Sequence, residues 1–502
     1  MSDILAGAGV LVAAGSSAAA ILLPAGRARS MAMLAAIVLF PILILGDQWH
    51  TTQIVDLRHS DTRIAALALL GLLAVSALAY LFRRWPILMP LAIIAALPFR
   101  IPLHAGGDTA NLLVPLYLVI AGGVLAAALR DWALPPRRQE HPQASPPAAP
   151  VGRRAAIWLP RMLAAVVVLY ALQTLYSEDF SKGLQNVCFF LVPFTVAFAL
   201  LQDVKWDTKL LRLVLWVLAG EALAFVVVGS IEYGSRSLFW NDAIIRSNEF
   251  HTYFRVNSVF WDPNVYGRYL ALVLVIVTTA LLWTKDKRSF WLLAAAILVL
   301  WIGLAQTFSQ SSFIALLAGL AVLAAIRWSW RWTLAAVAVG VVGAALVIVM
   351  AGGSGRITPG QINKDLSGRG NLVSGGVDLF AERPLWGYGS GSFQHAYAAR
   401  RDNKDLPVSV SHTEPVTVAA EQGLVGLAFY VALIVVALWA MTAGLQGRRA
   451  SRAAVLAAFV ALLVHTMSYA GFYEDPITWA LLAVGAALAS TPYVPQTVRD
   501  PA

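Results

Sequence analysis

Residues Ile64–Phe82 read IAALALLGLLAVSALAYLF, and Arg83, Arg84 and Trp85 follow at once. An uncharged apolar run of this kind is about as long as an α-helix must be to cross roughly 30 Å of hydrocarbon. The arginines and the tryptophan mark the point where lipid gives way to water. Backbone N–H and C=O groups inside lipid have no water to bond, so the segment reads as a helix that satisfies its own backbone.

The same pattern recurs outward in both directions. Runs of similar length are Ile4 to Leu23, Leu112 to Leu129, Ala155 to Leu175, Leu184 to Gln202, Leu210 to Gly229, Val265 to Trp283, Thr333 to Met350 and Leu424 to Ala443. Shorter candidates are Met31 to Gly46, Pro86 to Phe99, Phe290 to Ala305, Ser312 to Ile326, Ala453 to Ser468 and Ile477 to Ala489. The expected fold is an all-α integral membrane protein, a polytopic bundle of roughly 12 to 15 transmembrane helices. Composition agrees: of 502 residues 59% are hydrophobic and 13% charged, with a mean hydropathy of +0.71. Water-soluble domains carry about 25% charged residues, so a soluble core is excluded. The one cysteine, Cys188, excludes a disulfide framework, a cysteine zinc site and a cysteine-ligated iron–sulfur cluster. A net charge of +10 would suggest nucleic acid only if the basic residues shared one folded surface.

They alternate along the chain instead. Basic stretches occupy every second loop: Arg27 and Arg29; Arg83 and Arg84; Arg130 to Arg161; Lys205 to Arg212 with Asp203 beside it; Lys285 to Arg288; Arg327 and Arg331; Arg448 to Arg452. They hold 21 of the 37 Lys and Arg but 5 of the 27 Asp and Glu, a net of +16 against −6 for the remainder. The positive-inside rule puts these loops in the cytoplasm and the others outside. No charged leader with a small-residue cleavage site precedes the first run, which reads as a retained span. The expected organisation is N-terminal transmembrane helices over 1–130, a Pro/Ala-rich basic cytoplasmic linker over 131–154, and central helices over 155–350 with an outer loop at 230–263. A large outer loop domain over 351–414, C-terminal helices over 415–490 and a tail over 491–502 complete it. Solenoid repeats are absent, and no two halves carry broken spans at matching positions, which weakens a secondary-transporter reading.

The outer segments collect Arg255, Arg268, Arg356, Arg369, Arg383, Arg400 and Arg401, joined by His412. Planar guanidinium groups bind phosphate oxygens two at a time, which suggests an anionic, lipid-linked ligand. The competing reading pairs these arginines with Asp262, Asp365, Asp378, Glu382, Asp402 and Asp405. His412 lies just before a span, and an ordinary imidazole pKa of about 6.5 suits a general base. The other histidines show no paired ligand spacing and no Asp-x-Asp motif is present, so neither metal nor cofactor is expected. Gly387, Gly389 and Gly391 read as a turn fixed by Pro384 and Trp386, with a phosphate-cradling nest as the alternative. Glu414 and Glu421 either orient the imidazole or are solvated, and Asp475 before Pro476 reads as a helix start, with Tyr473 and Glu474 beside it.

Four strings together resemble the O-antigen ligases and Wzy-type polymerases of bacterial surface polysaccharide assembly. The most specific is HTEPVTVAAEQGLVG, in which His412, Gly423 and Gly426 match a His, spacer, Gly-x-x-Gly pattern opening a helix, while Thr413 departs from the usual second residue. SGRGNLVSGGVDLFAERPLWGYGSGSF (Ser367 to Phe393) is similar to the family's arginine-led segment ending in a Pro-x-x-Gly-x-Gly turn. YFRVNSVFWDPNVYGRYLA (Tyr253 to Ala271) is similar to its arginine-led entry into a helix, and FSQSSF (Phe308 to Phe313) lacks an arginine that many relatives carry.

The resemblance implies a GT-C-like membrane glycosyltransferase with a lateral opening to lipid and an ordered outer (periplasmic) loop domain, in the bacterial inner membrane. The implied donor is an undecaprenyl-diphosphate-linked glycan and the implied acceptor a hydroxyl on lipid A core, a glycan chain, or a protein or wall glycan. The implied reaction is inverting and metal-independent. His412 is then the expected base, Arg255 and Arg369 the leading diphosphate ligands, and Arg268 and Arg383 the secondary ones. Thr413, Glu414, Gly423, Gly426, Gly387 and Gly389 support the motif. A Wzy-type polymerase extending the lipid-linked glycan is the alternative within the class. A flippase for the same lipids is the alternative outside it, and would need charge inside the spans, where Glu221 is the one clear acid.

Overall fold

The computed structural model describes residues 3–51, 54–55, 61–105, 108–133, 151–239, 244–245, 248, 253–339, 369–400, 410–443, 445 and 450–490. Most of the basic linker, the tail, and Arg356, Asp365, Arg401, Asp402 and Asp405 lie outside the described residues. Helices α1 (Asp3–Leu22), α2 (Arg27–Asp47) and α3 (Asp61–Arg84) follow the first three long runs. Helix α4 (Leu88–Ala96) is a piece of nine residues, about 14 Å long and under half a bilayer core. The run from Pro86 to Phe99 is therefore a partial span.

Next comes the one departure from helix among the described residues: strands β1 (Ile101–Ala105) and β2 (Asp108–Leu112) pair antiparallel, Ala105 opposite Asp108. Helices α5 (Val114–Ala133) and α6 (Val151–Thr174) flank the linker. Then α7 (Phe180–Asn186), a π-helical turn (Val187–Leu191) and α8 (Val192–Gln202) run as one rod. Pro193 has no N–H to give the Phe189 carbonyl four residues back, and the Tyr117 hydroxyl donates to that oxygen instead, 2.7 Å.

Helices α9 (Thr208–Ser235), α10 (Pro263–Trp283), α11 (Lys287–Gln306) and α12 (Gln310–Arg327) form the middle of the chain. Aspartates start several of these helices: Asp179, Asp207, Asp262 and Asp286 accept from backbone N–H groups of α7, α9, α10 and α11 at 2.6–3.0 Å. Two short helices, α13 (Arg369–Glu382) and α14 (Phe393–Ala398), precede α15 (Glu414–Thr442), α16 (Ala450–Thr466) and α17 (Pro476–Ser490).

Burial separates the bundle into centre and rim. Every residue from Val192 to Leu201 in α8 is buried, as is most of α10 and α17. Leu67, Leu69, Leu70, Leu72 and Leu73 of α3 are instead 57–64% exposed. A protein that keeps such apolar surface outward is solvated by lipid. Among the described residues, eleven helices are long and apolar enough to cross a membrane, and α16 and α17 are shorter apolar helices.

Polar contacts join loops of like kind. The basic loops meet one another through Arg29 with Asp203 and Ser30 with Asp131, 2.6 Å. The alternate loops meet through Asp47 with Ser181 (2.9 Å), Arg383 with Glu178 (2.8 Å) and Arg255 with the Thr307 carbonyl (3.0 Å). The bundle thus has a basic end and a motif end, in the alternation expected from the sequence.

Candidate functional site

The motif end is organised by a break in α15. At Gly423 the backbone adopts φ 64° and ψ −164°, and the helix resumes at Leu424. A break strands donors and acceptors that must be satisfied where no water competes. The Pro384–Gly389 turn satisfies them: Leu424 N donates to Pro384 O (2.7 Å) and Val425 N to Leu385 O (3.3 Å), while Tyr388 N donates to Ala420 O (3.2 Å) and Gly389 N to Glu421 O (2.7 Å). A Cβ on Gly423 would sit 2.4 Å from Leu385 O, and one on Gly387 2.4 Å from Glu421 O. Gly387 and Gly423 are thus required by close approach as well as by positive φ. The glycines expected to open a helix lie inside one that breaks and restarts.

The N–H groups considered for a phosphate nest are already engaged. Gly387 N donates to Arg383 O (3.0 Å), Gly389 N to Glu421 O, and Gly391 N to the Glu421 carboxylate (2.8 Å), which also accepts from Phe393 N (3.1 Å). The turn holds the chain's own Glu421 carboxyl instead. Glu414 does the same for the α16–α17 loop, accepting from Gly471 N (2.6 Å) and Phe472 N (3.0 Å). Neither glutamate is solvated, at 5% and 6% exposure.

His412, at the start of α15, has φ 62°. Left-handed backbone is uncommon outside glycine and costs about 1–2 kcal/mol, so the surroundings must impose it. Ser411 Oγ lies 2.8 Å from Thr413 O and 2.7 Å from Thr417 Oγ1, and Thr413 Oγ1 donates to Met467 O (3.1 Å). These bonds, with those of Glu414, fasten the His412 segment to the loop carrying Tyr469. The Tyr469 ring consequently has His412 at 6.0 Å on centroids, His465 at 6.0 Å and the Arg268 guanidinium carbon at 5.9 Å. Burial pushes the Tyr469 hydroxyl well above its ordinary pKa, so it stays protonated.

Arg268, on α10, is 4% exposed and pairs with Asp475 at 3.0 Å, while its Nε and Nη1 are buried without a hydrogen bond in the protein. Asp475 is more than a helix start: one carboxylate oxygen accepts from Ile477 N (3.0 Å) and the other faces Arg268. Arg255 donates from Nε to Thr307 O (3.0 Å) and from Nη2 to Asn264 Oδ1 (3.1 Å). Asn264 also meets Ser309 (2.9 Å), and Ser311 and Ser312 each approach His465 Nε2 at 3.3 Å. The FSQSSF string thus contributes hydroxyls to this group.

Arg383 belongs to a different neighbourhood. It is half exposed, paired with Glu178 and stacked over Tyr388 at 4.1 Å. Arg400 also lies over Tyr388, at 4.8 Å, pairs with Glu382 and holds that carboxyl down to about 2, the Tyr388 hydroxyl helping. Arg369 is the first residue of α13.

Beside the His412 segment lies a small cleft, with about 50 Å³ of free volume, between α6, α7, the start of α15 and the α16–α17 loop. Lys182, Asn186, Glu414, Glu421 and Glu474 line it, together with the rings of Tyr170 and Tyr473. Val410 and Glu414 both reach it, one on each side of His412 in the chain.

Sequence reasoning missed His465, which lies within an apolar run, and gave Lys182, Asn186 and Asn264 no role. The available signal was polarity inside a span, since His465 is fully buried in α16. No curated protein matches the chain. The O-antigen ligase family model (Wzy_C) matches residues 295–431, from α11 through the Gly423 break. That segment holds His412 and both halves of the interlocked turn, so the chain is a multi-pass membrane protein that over residues 295–431 is similar to the O-antigen ligase family.

Proposed function

We propose that the protein is a glycosyltransferase of the bacterial inner membrane. It moves a glycan from an undecaprenyl-diphosphate-linked donor to an acceptor hydroxyl at the outer face. The observation that carries this reading is the imposed left-handed backbone of His412, which sets its imidazole against Tyr469, a ring that His465 and the buried Arg268 also approach. Strain of this kind persists where surrounding structure fixes a functional group.

In the proposed step the acceptor oxygen attacks the anomeric carbon from the face opposite the diphosphate. Its proton passes to the His412 imidazole, and the C–O bond to the diphosphate breaks with its electron pair on the leaving oxygen. The configuration inverts. Charge growing on the diphosphate meets Arg268 and Arg255, whose fixed forks need no reorganisation as the bond breaks. Arg383, paired at the surface, takes a lesser part in this reading, and Arg369 remains a candidate from its place at the head of α13.

Incubating the purified protein with a lipid-linked oligosaccharide and candidate acceptors tests the proposal. A single transfer product supports the ligase reading and a ladder of lengths the polymerase. Translocation without a new glycosidic bond would identify a flippase. The sidedness is tested separately in a Cys188→Ser background: Lys287→Cys resists an impermeant thiol reagent added from outside, and labelling there would reverse the topology.

A further inference from the structure

Arg255 is held at both its backbone and its side chain. Asn248 clasps the backbone, accepting from Arg255 N and donating to Arg255 O, both at 3.0 Å. The Thr307 carbonyl and Asn264 Oδ1 fix the guanidinium fork. Thr307 and Ser309 flank Phe308, whose φ of 50° is uncommon outside glycine. That kink joins α11 to α12, with the Thr307 carbonyl bonded to Arg255 on one side and the Ser309 hydroxyl to Asn264 on the other. Gly267, about one turn beyond Asn264 in α10, leaves room for the serines, since a Cβ there would stand 2.5 Å from Ser312 Oγ.

Counting protons along these buried hydroxyls gives the group a direction. A guanidinium can only donate, so the Asn264 atom facing Arg255 is the amide oxygen. That oxygen carries no proton, and Ser309 therefore spends its own on it, at 2.9 Å. Ser309 Oγ also lies 2.8 Å from Ser312 Oγ and 3.1 Å from Ser311 Oγ, so both of those hydroxyls donate to it. Ser312 could turn to Asn264 O, at 3.5 Å, only by leaving the shorter contact without a proton. With the serine protons spent, the 3.3 Å approaches of His465 Nε2 to Ser311 and Ser312 require a proton on the ring nitrogen.

We propose that His465, Ser311, Ser312, Ser309 and Asn264 form a one-directional hydrogen-bond chain that positions the Arg255 guanidinium, with His465 Nε2–H as its terminal donor. All five are at most 8% exposed, so water does not compete for these bonds, and each bond polarises the next. They are positioning residues, acting on the ligand only through Arg255, and that role rests on the reading of Arg255 as a diphosphate ligand. The direction of the chain does not. Through His465 the chain also ends against Tyr469, the ring that His412 approaches from elsewhere.

Two measurements on the full-length protein in lipid nanodiscs test this. In the nitrogen NMR spectrum of protein labelled at histidine, the signals lost in His465→Gln are expected to come from a ring protonated at Nε2; a bare Nε2 would overturn the chain. The second measurement is the affinity for farnesyl diphosphate, a short-chain lipid diphosphate. Ser309→Ala cuts the chain at its middle and weakens this probe about tenfold, the scale of a lost hydrogen bond to a charged group. In an Arg255→Ala background the same change has no further effect, because the group to be positioned is gone. His465→Leu behaves as Ser309→Ala does, and His465→Gln, whose amide can donate from the same place, loses less. Unchanged affinity in Ser309→Ala, losses that add in the double variant, or equal losses in His465→Leu and His465→Gln would overturn the positioning role. Affinity unchanged by Arg255→Ala would instead sink the diphosphate reading of Arg255, and the histidine tautomer would still decide whether the chain exists.

Discussion

Arg130 and Arg268 are the same side chain in two environments. Each lies close to an aspartate, Asp131 at 3.1 Å and Asp475 at 3.0 Å, yet the first guanidinium is 61% exposed and the second 4%. Arg130 keeps its charge in water, where an ion pair contributes about 0–1 kcal/mol. Arg268 and Asp475 are folded inside, against a desolvation cost of several kcal/mol per ion. Arg268, Glu414, Glu421 and Asp475 are all at most 6% exposed. Such groups are kept for what they do. The comparison therefore sets a solvated pair against a buried one, and each prediction below tests whether burial marks the residues of the proposed reaction.

The largest effect is expected at His412. His412→Ala leaves insertion and donor binding intact and lowers transfer by about 100-fold or more, the scale of a lost general base. Measured turnover equal to wild type in a well-expressed variant would remove His412 from the mechanism.

Two glycines sharpen the comparison in stability rather than rate. Gly423→Ala forces a Cβ to 2.4 Å from Leu385 O at φ 64° and is expected to cost about 2 kcal/mol. Gly220→Ala, in α9 with no atom within 4 Å of its would-be Cβ, is neutral or stabilising by up to about 1 kcal/mol. Thermal unfolding in detergent separates them, and equal melting temperatures would mean that the interlocked turn does not hold the break.

Next come the arginines. Arg268→Lys loses the planar fork in a buried pair and is expected to slow transfer about tenfold. Arg383→Lys, half exposed and paired with Glu178, changes it by less than about twofold. Comparable losses in the two would show that the exposed cluster around Tyr388 also takes part in the reaction.

These contrasts also mark how far the sequence could be read. Span after span was legible because length and hydrophobicity are local properties, and the alternation of Arg83, Lys287 and their like follows from a field acting on each loop separately. Pro86 to Phe99 misled because composition alone does not say where a helix ends short. His412 was legible through its motif, but its neighbours were not: His465 and Tyr469 come from α16 and the loop after it, and reach His412 through bonds made by Thr413 and Glu414. The cleft draws on segments near 170–191, 391–422 and 470–474, which only tertiary packing brings together. Gly387 and Gly423 were visible as residues and invisible as a pair, since the reason for each is the backbone of the other's segment.

The smallest expected effect is that of chelation, and its argument rests on what the acids at the motif end are already doing. A divalent ion assisting a diphosphate needs carboxylates with oxygens to spare, gathered at one point. Here Glu414 accepts two backbone N–H groups and Glu421 two more, Asp475 faces Arg268, Asp262 caps α10 through Asn264 N (2.6 Å), and Glu382 is held by Arg400 and Tyr388. Among the described residues, no three His, Cys, Asp or Glu side chains form a group able to hold an ion. In the proposed reaction Arg255 and Arg268 would present fixed positive charge to the same phosphate oxygens that an ion would take. Excess EDTA is accordingly expected to leave transfer within about twofold, against the factor of ten that corresponds to about 1.4 kcal/mol of barrier. Abolition by EDTA with rescue by magnesium would mean that one of these carboxylates leaves its backbone partners when substrate binds, and Glu414, whose release would also free the loop carrying Tyr469, is the residue to substitute first.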